Sequence, residues 1–198
     1  MTMRLDLKVV ERWVTRGARV LDLGCGDGKL LQHLVDTQGV DGMGLEIDAE
    51  NITTAVAAGL NIVEQDMDRG LANFRDKSFD SVILAHALQA VHNPHLVIEE
   101  MTRIGKECIV TFPNFGHWRC RLDLVTRGRM PVSRFMPYTW YDTPNIHFCT
   151  VRDFEALCHD CGVRILDRSV VTHTRSYSWL ANLWPNMFAS TAIYRISK

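Results

Sequence analysis

Apolar positions along the chain alternate between two spacings. Over residues 5–14 they recur at helical intervals, placing Leu7, Val10 and Val14 on one stripe. Residues 19–23 then form a short apolar run of the kind buried within a sheet. The alternation continues with a helix over 29–35 opening from a glycine-rich turn, a strand over 41–47, and a helix over 49–58 that Gly59 stops. Strands follow over 61–65 and 79–85, a helix over 94–104 with Pro94 in its first turn, and a fifth strand over 107–112. Strand-length runs separated by helical patterns predict a parallel sheet with helices on both faces.

The rhythm breaks at residue 113. Residues 113–150 are irregular and rich in aromatic, Arg and Pro residues, too long for an ordinary connection and of the kind that is usually functional. A helix over 151–161 ended by Gly162, a strand over 163–171 and a last strand over 192–196 close the pattern. The expected fold is α/β and Rossmann-like. Its sheet is mostly parallel and seven-stranded, in the class I methyltransferase order, with a cap-like insert after strand five. One domain accounts for residues 1–198, without internal repeats or low-complexity segments.

Composition mainly excludes. The 198 residues are 46% apolar and 23% charged, as in an ordinary globular domain, and the net charge of -1 provides no basic field for nucleic acid. No apolar run is long enough to cross a bilayer, and the opening residues lack the apolar core of a signal peptide. Cys25, Cys108, Cys120, Cys149, Cys158 and Cys161 are too scattered for a disulfide framework. A cytoplasmic setting without membrane or nucleic-acid partners is expected. Cys158 and Cys161 are spaced like a metal knuckle but lack a second pair and fall on a helical pattern, so no metal is expected.

The chemistry gathers at the end of the first strand, in Val20-Leu21-Asp22-Leu23-Gly24-Cys25-Gly26-Asp27-Gly28. Asp22, Gly24, Cys25, Gly26 and Gly28 are candidate ligand contacts, because glycines let the backbone turn tightly and approach a bound molecule. A dinucleotide site needs Gly-x-Gly-x-x-Gly; here the third glycine arrives one position early and Lys29 fills its slot. Asp22 would repel a diphosphate but attract an ammonium group, which favours S-adenosylmethionine, or S-adenosylhomocysteine, over NAD. Glu46 ends the second strand about twenty residues past the turn, where an acid accepts ribose hydroxyls, with Ile47 beside it. Asp66 and Met67 follow the third strand, where Asp66 suits the adenine amino group and Met67 the ring face; a turn cap is the lesser reading of Asp66. Ala85, His86 and Leu88 follow the fourth strand and should line the pocket floor.

No strong catalytic constellation accompanies this pocket. Amino-methylating enzymes often carry an Asn-Pro-Pro-Tyr-like turn after strand four, where this chain has Ala85-His86-Ala87-Leu88. His86 is the one base candidate by position, and a pocket-wall histidine bonded to backbone explains it equally well. The insert instead offers His117, Trp118 and Arg119, a basic stretch through Arg121, Arg127, Arg129 and Arg134, and the aromatic trio Tyr138, Trp140 and Tyr141. Arginine interleaved with aromatics suits an anionic substrate or a protein partner.

The glycine turn, Gly44-Leu45-Glu46-Ile47-Asp48, Phe112-Pro113-Asn114-Phe115-Gly116-His117-Trp118-Arg119 and Pro137-Tyr138-Thr139-Trp140-Tyr141-Asp142-Thr143-Pro144-Asn145-Ile146-His147 together resemble the MetW family of methionine-biosynthesis proteins. The likeness runs from Arg4 to Arg195, within the S-adenosylmethionine-dependent methyltransferase-like superfamily. The resemblance implies partnership with MetX, the homoserine O-acyltransferase, and support of that acyl transfer. A methyltransferase acting on a small metabolite is the alternative, and the residues leave open whether the chain is an enzyme.

Overall fold

A computed structural model describes residues 5–133, 136–172 and 178–198; Arg4 and Arg134 lie outside the described residues. Seven strands form one sheet in the order β3-β2-β1-β4-β5-β7-β6. These are β1 (Arg19–Leu23), β2 (Asp41–Glu46), β3 (Asn61–Glu64), β4 (Phe79–Ala85), β5 (Gly105–Pro113), β6 (Arg164–Val171) and β7 (Thr191–Ser197). The first five pair in parallel, and β7 runs antiparallel to both β5 and β6. The chain leaves β1 toward β2 and returns on its other side as β4, so the strand order reverses beside β1. Ligands of open α/β sheets bind at such a point, beyond the carboxyl ends of the strands.

Helices cover both faces. On one side α1 (Leu5–Trp13), α2 (Lys29–Gln38) and α3 (Ala49–Ala57) bury Val10, Leu31, Leu34 and Ala55 against Val20, Ile83 and Ile193. On the other, α4 (Pro94–Ile104) and α6 (Val151–Asp160), which follows α5 (Trp118–Arg127) of the insert, bury Ile98, Met101, Phe154 and Cys158 against Leu21, Val82, Val110 and Phe112. Phe154 packs between Phe112 and Tyr194, with ring centroids 4.9 and 4.7 Å away. Strand and helix bounds fall within a few residues of those expected from the pattern. No helix among the described residues is long and apolar enough to cross a membrane.

The insert after β5 is more ordered than its irregular pattern suggests. It opens with α5 (Trp118–Arg127), closed by Gly128 in the left-handed region at φ 60°. The later insert folds back onto the β4–α4 loop. There the Ile146 and His147 N–H groups donate to the Gln89 carbonyl at 2.7 and 3.0 Å, and Phe148 packs on Phe115 at 5.0 Å. Two further short helices absent from the pattern, α7 (Ser178–Leu183) and α8 (Pro185–Phe188), connect β6 to β7.

Candidate functional site

Parallel pairing of β1 with β2 and β4 brings the glycine turn, the end of β2 and the residues after β4 together at the carboxyl ends of the strands. Gly24 and Cys25 anchor the turn by donating backbone N–H groups to the Leu45 carbonyl at 2.7 and 3.1 Å. Gly24 has φ +67°, and a Cβ there would meet Met67 Cε and Ala87 Cβ at 3.2 Å. This contact brings Met67 and the loop after β4 onto the turn. Gly28 is held for packing: at φ +76°, a Cβ would overlap the Leu60 side chain and press on Ala55. The Cys25 thiol lies over Gly44 of β2, and burial, aided by the Asp22 and Glu46 charges, pushes it up to about 12. It is therefore a packing residue with little nucleophilic character.

Glu46 ties the two loops together. Its Oε2 accepts from Gly26 N–H at 2.7 Å, and its Oε1 accepts from the Ile47 and Asp48 N–H groups at 2.8 and 3.0 Å. A carboxylate has about four lone-pair sites, so capacity for hydroxyl donors remains. Ile47 next to it is 63% exposed, an apolar face available to a ligand.

Asp22 is 2% exposed, and its Oδ1 has no hydrogen-bond partner. Burial, reinforced by the Glu46 charge, pushes its carboxyl up to about 7. Buried polar atoms are nearly always satisfied, so an orphaned carboxylate oxygen calls for a donor, best of all a cation. A glycine cradle, a ribose-type acid and an orphaned acid at the carboxyl ends of adjacent strands fit the ribose and α-ammonium groups of S-adenosylmethionine.

Asp66 takes the turn-cap role. Its Oδ1 accepts from Asp68 N–H at 2.9 Å, opening the 3-10 turn Met67–Arg69, and its Oδ2 lies 3.5 Å from Arg69 Nε. Ala85 ends β4 and packs toward the α1–α3 face. His86 follows in the left-handed region at φ +58°, sparsely populated for residues other than glycine, with its N–H donating to the Thr111 carbonyl at 2.9 Å. Its Nε2 lies 2.7 Å from Oδ2 of Asp6, a buried acid on α1. In the neutral ring this carboxylate favours the Nε2–H tautomer. Asp6 does not stand out as a site residue in the sequence. It occupies the buried stripe of α1 at helical spacing from Val10 and Val14, and an acid on an apolar stripe was the available signal.

The insert residues divide. His117 is buried and caps α5, its Nδ1 accepting from Arg119 N–H at 3.2 Å. Trp118 is half-buried beneath the Arg119 guanidinium, 5.3 Å from its ring centroid. Arg121 donates to the Gly116 carbonyl at 2.7 Å and Arg127 pairs with Asp123 at 3.2 Å, so both are engaged locally. Tyr138, Trp140 and Tyr141 are exposed, the last two at 71% and 74%. Cys158 is a core residue whose thiol burial pushes up to about 12, and the described residues contain no group of three or more potential metal ligands.

Comparisons with known proteins agree with this architecture. A chain in the complex of the Haloferax volcanii Trm112 methyltransferase activator with a putative methyltransferase superposes with TM-score 0.70 at 19% identity, over 96% of this chain and 87% of that one. An S-adenosylmethionine-dependent methyltransferase from Mesorhizobium loti superposes with TM-score 0.71 at 16% identity, over 96% of each chain. Both likenesses speak for the fold. The bifunctional methionine biosynthesis protein MetXA/MetW of Rhodopirellula baltica is 35% identical over 178 residues, 85% of this chain. The chain spans only 28% of that relative's length. The family model of methionine biosynthesis protein MetW matches residues 4–196, and the chain belongs to that family.

Proposed function

We propose that this MetW-family chain binds S-adenosylmethionine at the glycine turn and supports homoserine O-acylation by the acyltransferase MetX in the cytoplasm. The ligand reading rests on Asp22: an orphaned, fully buried carboxylate oxygen beside a glycine cradle asks for an ammonium group. In that complex Asp22 receives the α-amino group, Glu46 the ribose hydroxyls, and Met67 and Ile47 flank the adenine. Ala85, at the end of β4, completes the floor. S-adenosylmethionine, when bound, brings a sulfonium-activated methyl group and a nucleoside that reports methionine supply. The partner reading is supported by the relative that carries MetXA and MetW in one chain. Tyr138, Trp140 and Tyr141 present exposed aromatic anchors for such a contact, with Trp118 and Arg119 at the start of α5; His117 shapes that start as its cap.

Isothermal titration tests the ligand. S-adenosylmethionine should bind the wild-type chain, and Gly24→Val should abolish binding by crowding Met67 and Ala87 while the sheet stays folded. Equal affinity in that variant would misplace the ligand. Mixing with the acyltransferase tests the partner, with a stable complex and faster acyl transfer expected. The Asp6–His86 pair favours a second reading, methyl transfer to a small metabolite, because a carboxylate-oriented imidazole at the end of β4 is a competent base. Release of S-adenosylhomocysteine with a small acceptor would establish it, and its absence during stimulated acyl transfer would leave the first reading standing.

A further inference from the structure

A cavity of about 220 Å3 lies between the β4–α4 loop, the returning insert and α6. It shares the β4–α4 loop with the glycine turn, since a Cβ on Gly24 would meet Ala87 and the next two residues, Leu88 and Gln89, line the cavity. It is smaller than the roughly 300–1,000 Å3 of pockets for drug-sized molecules, so its occupant is a small metabolite. Leu88, Pro94, Phe154 and Leu157 give it apolar walls.

Among the polar groups on those walls, Gln89, His147 and Asp153 present acceptors, alongside the exposed His95 imidazole and the Cys149 thiol. Gln89 is 2% exposed, and its Nε2 donates to the Pro113 carbonyl at 3.0 Å. A carbonyl only accepts, so this bond fixes the amide orientation and leaves Oε1 buried without a hydrogen-bond partner. His147 Nε2 lies 3.3 Å from the His92 carbonyl, which assigns the proton to that nitrogen and makes Nδ1 an acceptor in the neutral ring. The Asp153 carboxylate stands at the exposed rim, its Oδ2 taking Thr150 N–H at 2.8 Å as part of the α6 capping box. The Cys149 thiol, pushed up to about 12 by burial against the opposing effect of a side-chain hydrogen bond with Gln89, remains protonated and adds no charge.

We infer that this cavity is a second binding site, distinct from the glycine turn, for a small organic ammonium. The ammonium N–H donates to Gln89 Oε1, the alkyl stem lies against Leu88, Phe154 and Leu157, and Asp153 supplies the opposite charge. A carboxylate ligand is disfavoured, because it would face Asp153 and leave the Gln89 oxygen unsatisfied.

Isothermal titration with n-butylammonium, n-butanol and butyrate tests the site in the wild-type chain and three variants. Butylammonium should bind most tightly, butanol several-fold more weakly, and butyrate not measurably. Asp153→Asn keeps the Thr150 cap and removes the charge; it should weaken butylammonium several-fold while leaving butanol unchanged. Leu157→Phe fills the cavity and should weaken both by about tenfold or more, the scale of about 1.4 kcal/mol in binding. Asp22→Asn should leave butylammonium affinity unaltered, which separates this cavity from the S-adenosylmethionine reading. No butylammonium binding at tens of millimolar, butyrate binding as tightly, full affinity in Asp153→Asn, or loss confined to Asp22→Asn would each overturn the assignment. If Leu157→Phe fails to fold, the Asp153 and Asp22 variants still decide it.

Discussion

Asp22 and Asn114 are both buried polar side chains, and their hydrogen bonding separates their roles. Asn114 Nδ2 reaches the carbonyls of Pro185, Asn186 and Ala189 at 3.3, 3.2 and 2.9 Å, while its Oδ1 accepts from Gly116 and Val151 N–H groups. It joins the end of β5 to α6 and α8, and Asn114→Ala should cost about 3 kcal/mol by leaving several buried groups unpaired, measurable by urea unfolding. Asp22 has the opposite signature, an unfilled oxygen. Folded, it keeps its proton up to about pH 7; unfolded, only to about 3.8. Between those values the native state binds the extra proton, so ligand-free stability falls as pH rises and flattens above 7. Asp22→Asn should remove that slope and stabilise the ligand-free chain above pH 7, by at most about 4 kcal/mol for roughly three pH units. The same variant should weaken S-adenosylmethionine binding. In the wild-type chain, affinity should climb with pH toward 7, because an ammonium partner needs the ionised acid; a flat profile by titration would contradict this. The importance of Asp22 was legible from its place before the glycines. That of Asn114 was not, because its partners lie about seventy residues downstream.

Elements were legible wherever burial imposed a period. β4 reads as Phe-Asp-Ser-Val-Ile-Leu-Ala in the sequence and spans Phe79–Ala85 in the structure. α5 escaped because it buries only Cys120, leaves Leu122, Leu124 and Val125 exposed, and is capped by His117 in place of the usual Ser, Thr, Asp or Asn. α7 and α8 are too short to show a helical period. Gly28 also acts at this scale, letting α2 begin against Ala55 of α3 and Leu60, where a Cβ has no room. Gly28→Ala should destabilise by about 2 kcal/mol, combining left-handed strain with pressure on Ala55 and Leu60, and a shifted urea midpoint at unchanged slope would register it. The Asp6–His86 contact likewise belongs to elements, since α1, packed on β7, β6 and α2, brings Asp6 to the residue that follows β4.

Across the whole molecule, the insert combines residues that tie the fold together with aromatics left in solvent. Trp140 and Tyr141 stack edge-to-face at 5.6 Å and remain largely in solvent. Replacing both by Ala should change folding stability by only about 0.5 kcal/mol, as exposed positions do, while weakening the acyltransferase complex; unchanged complex formation in a pull-down would reduce the insert to a spacer. The sequence by itself determined the seven-stranded fold, the glycine turn with its acids, and the family. Those features are written in short-range terms: period, turn chemistry and spacing along one strand–turn–helix unit. Tertiary structure decided what became of individual polar groups. It left Asp22 and Gln89 each with an orphaned oxygen, filled the lone pairs of Asn114, turned His117 into a cap, and set Asp6 against His86. Partners in space come from strand order and helix packing, and no local pattern encodes which distant carbonyl or carboxylate a buried side chain will meet.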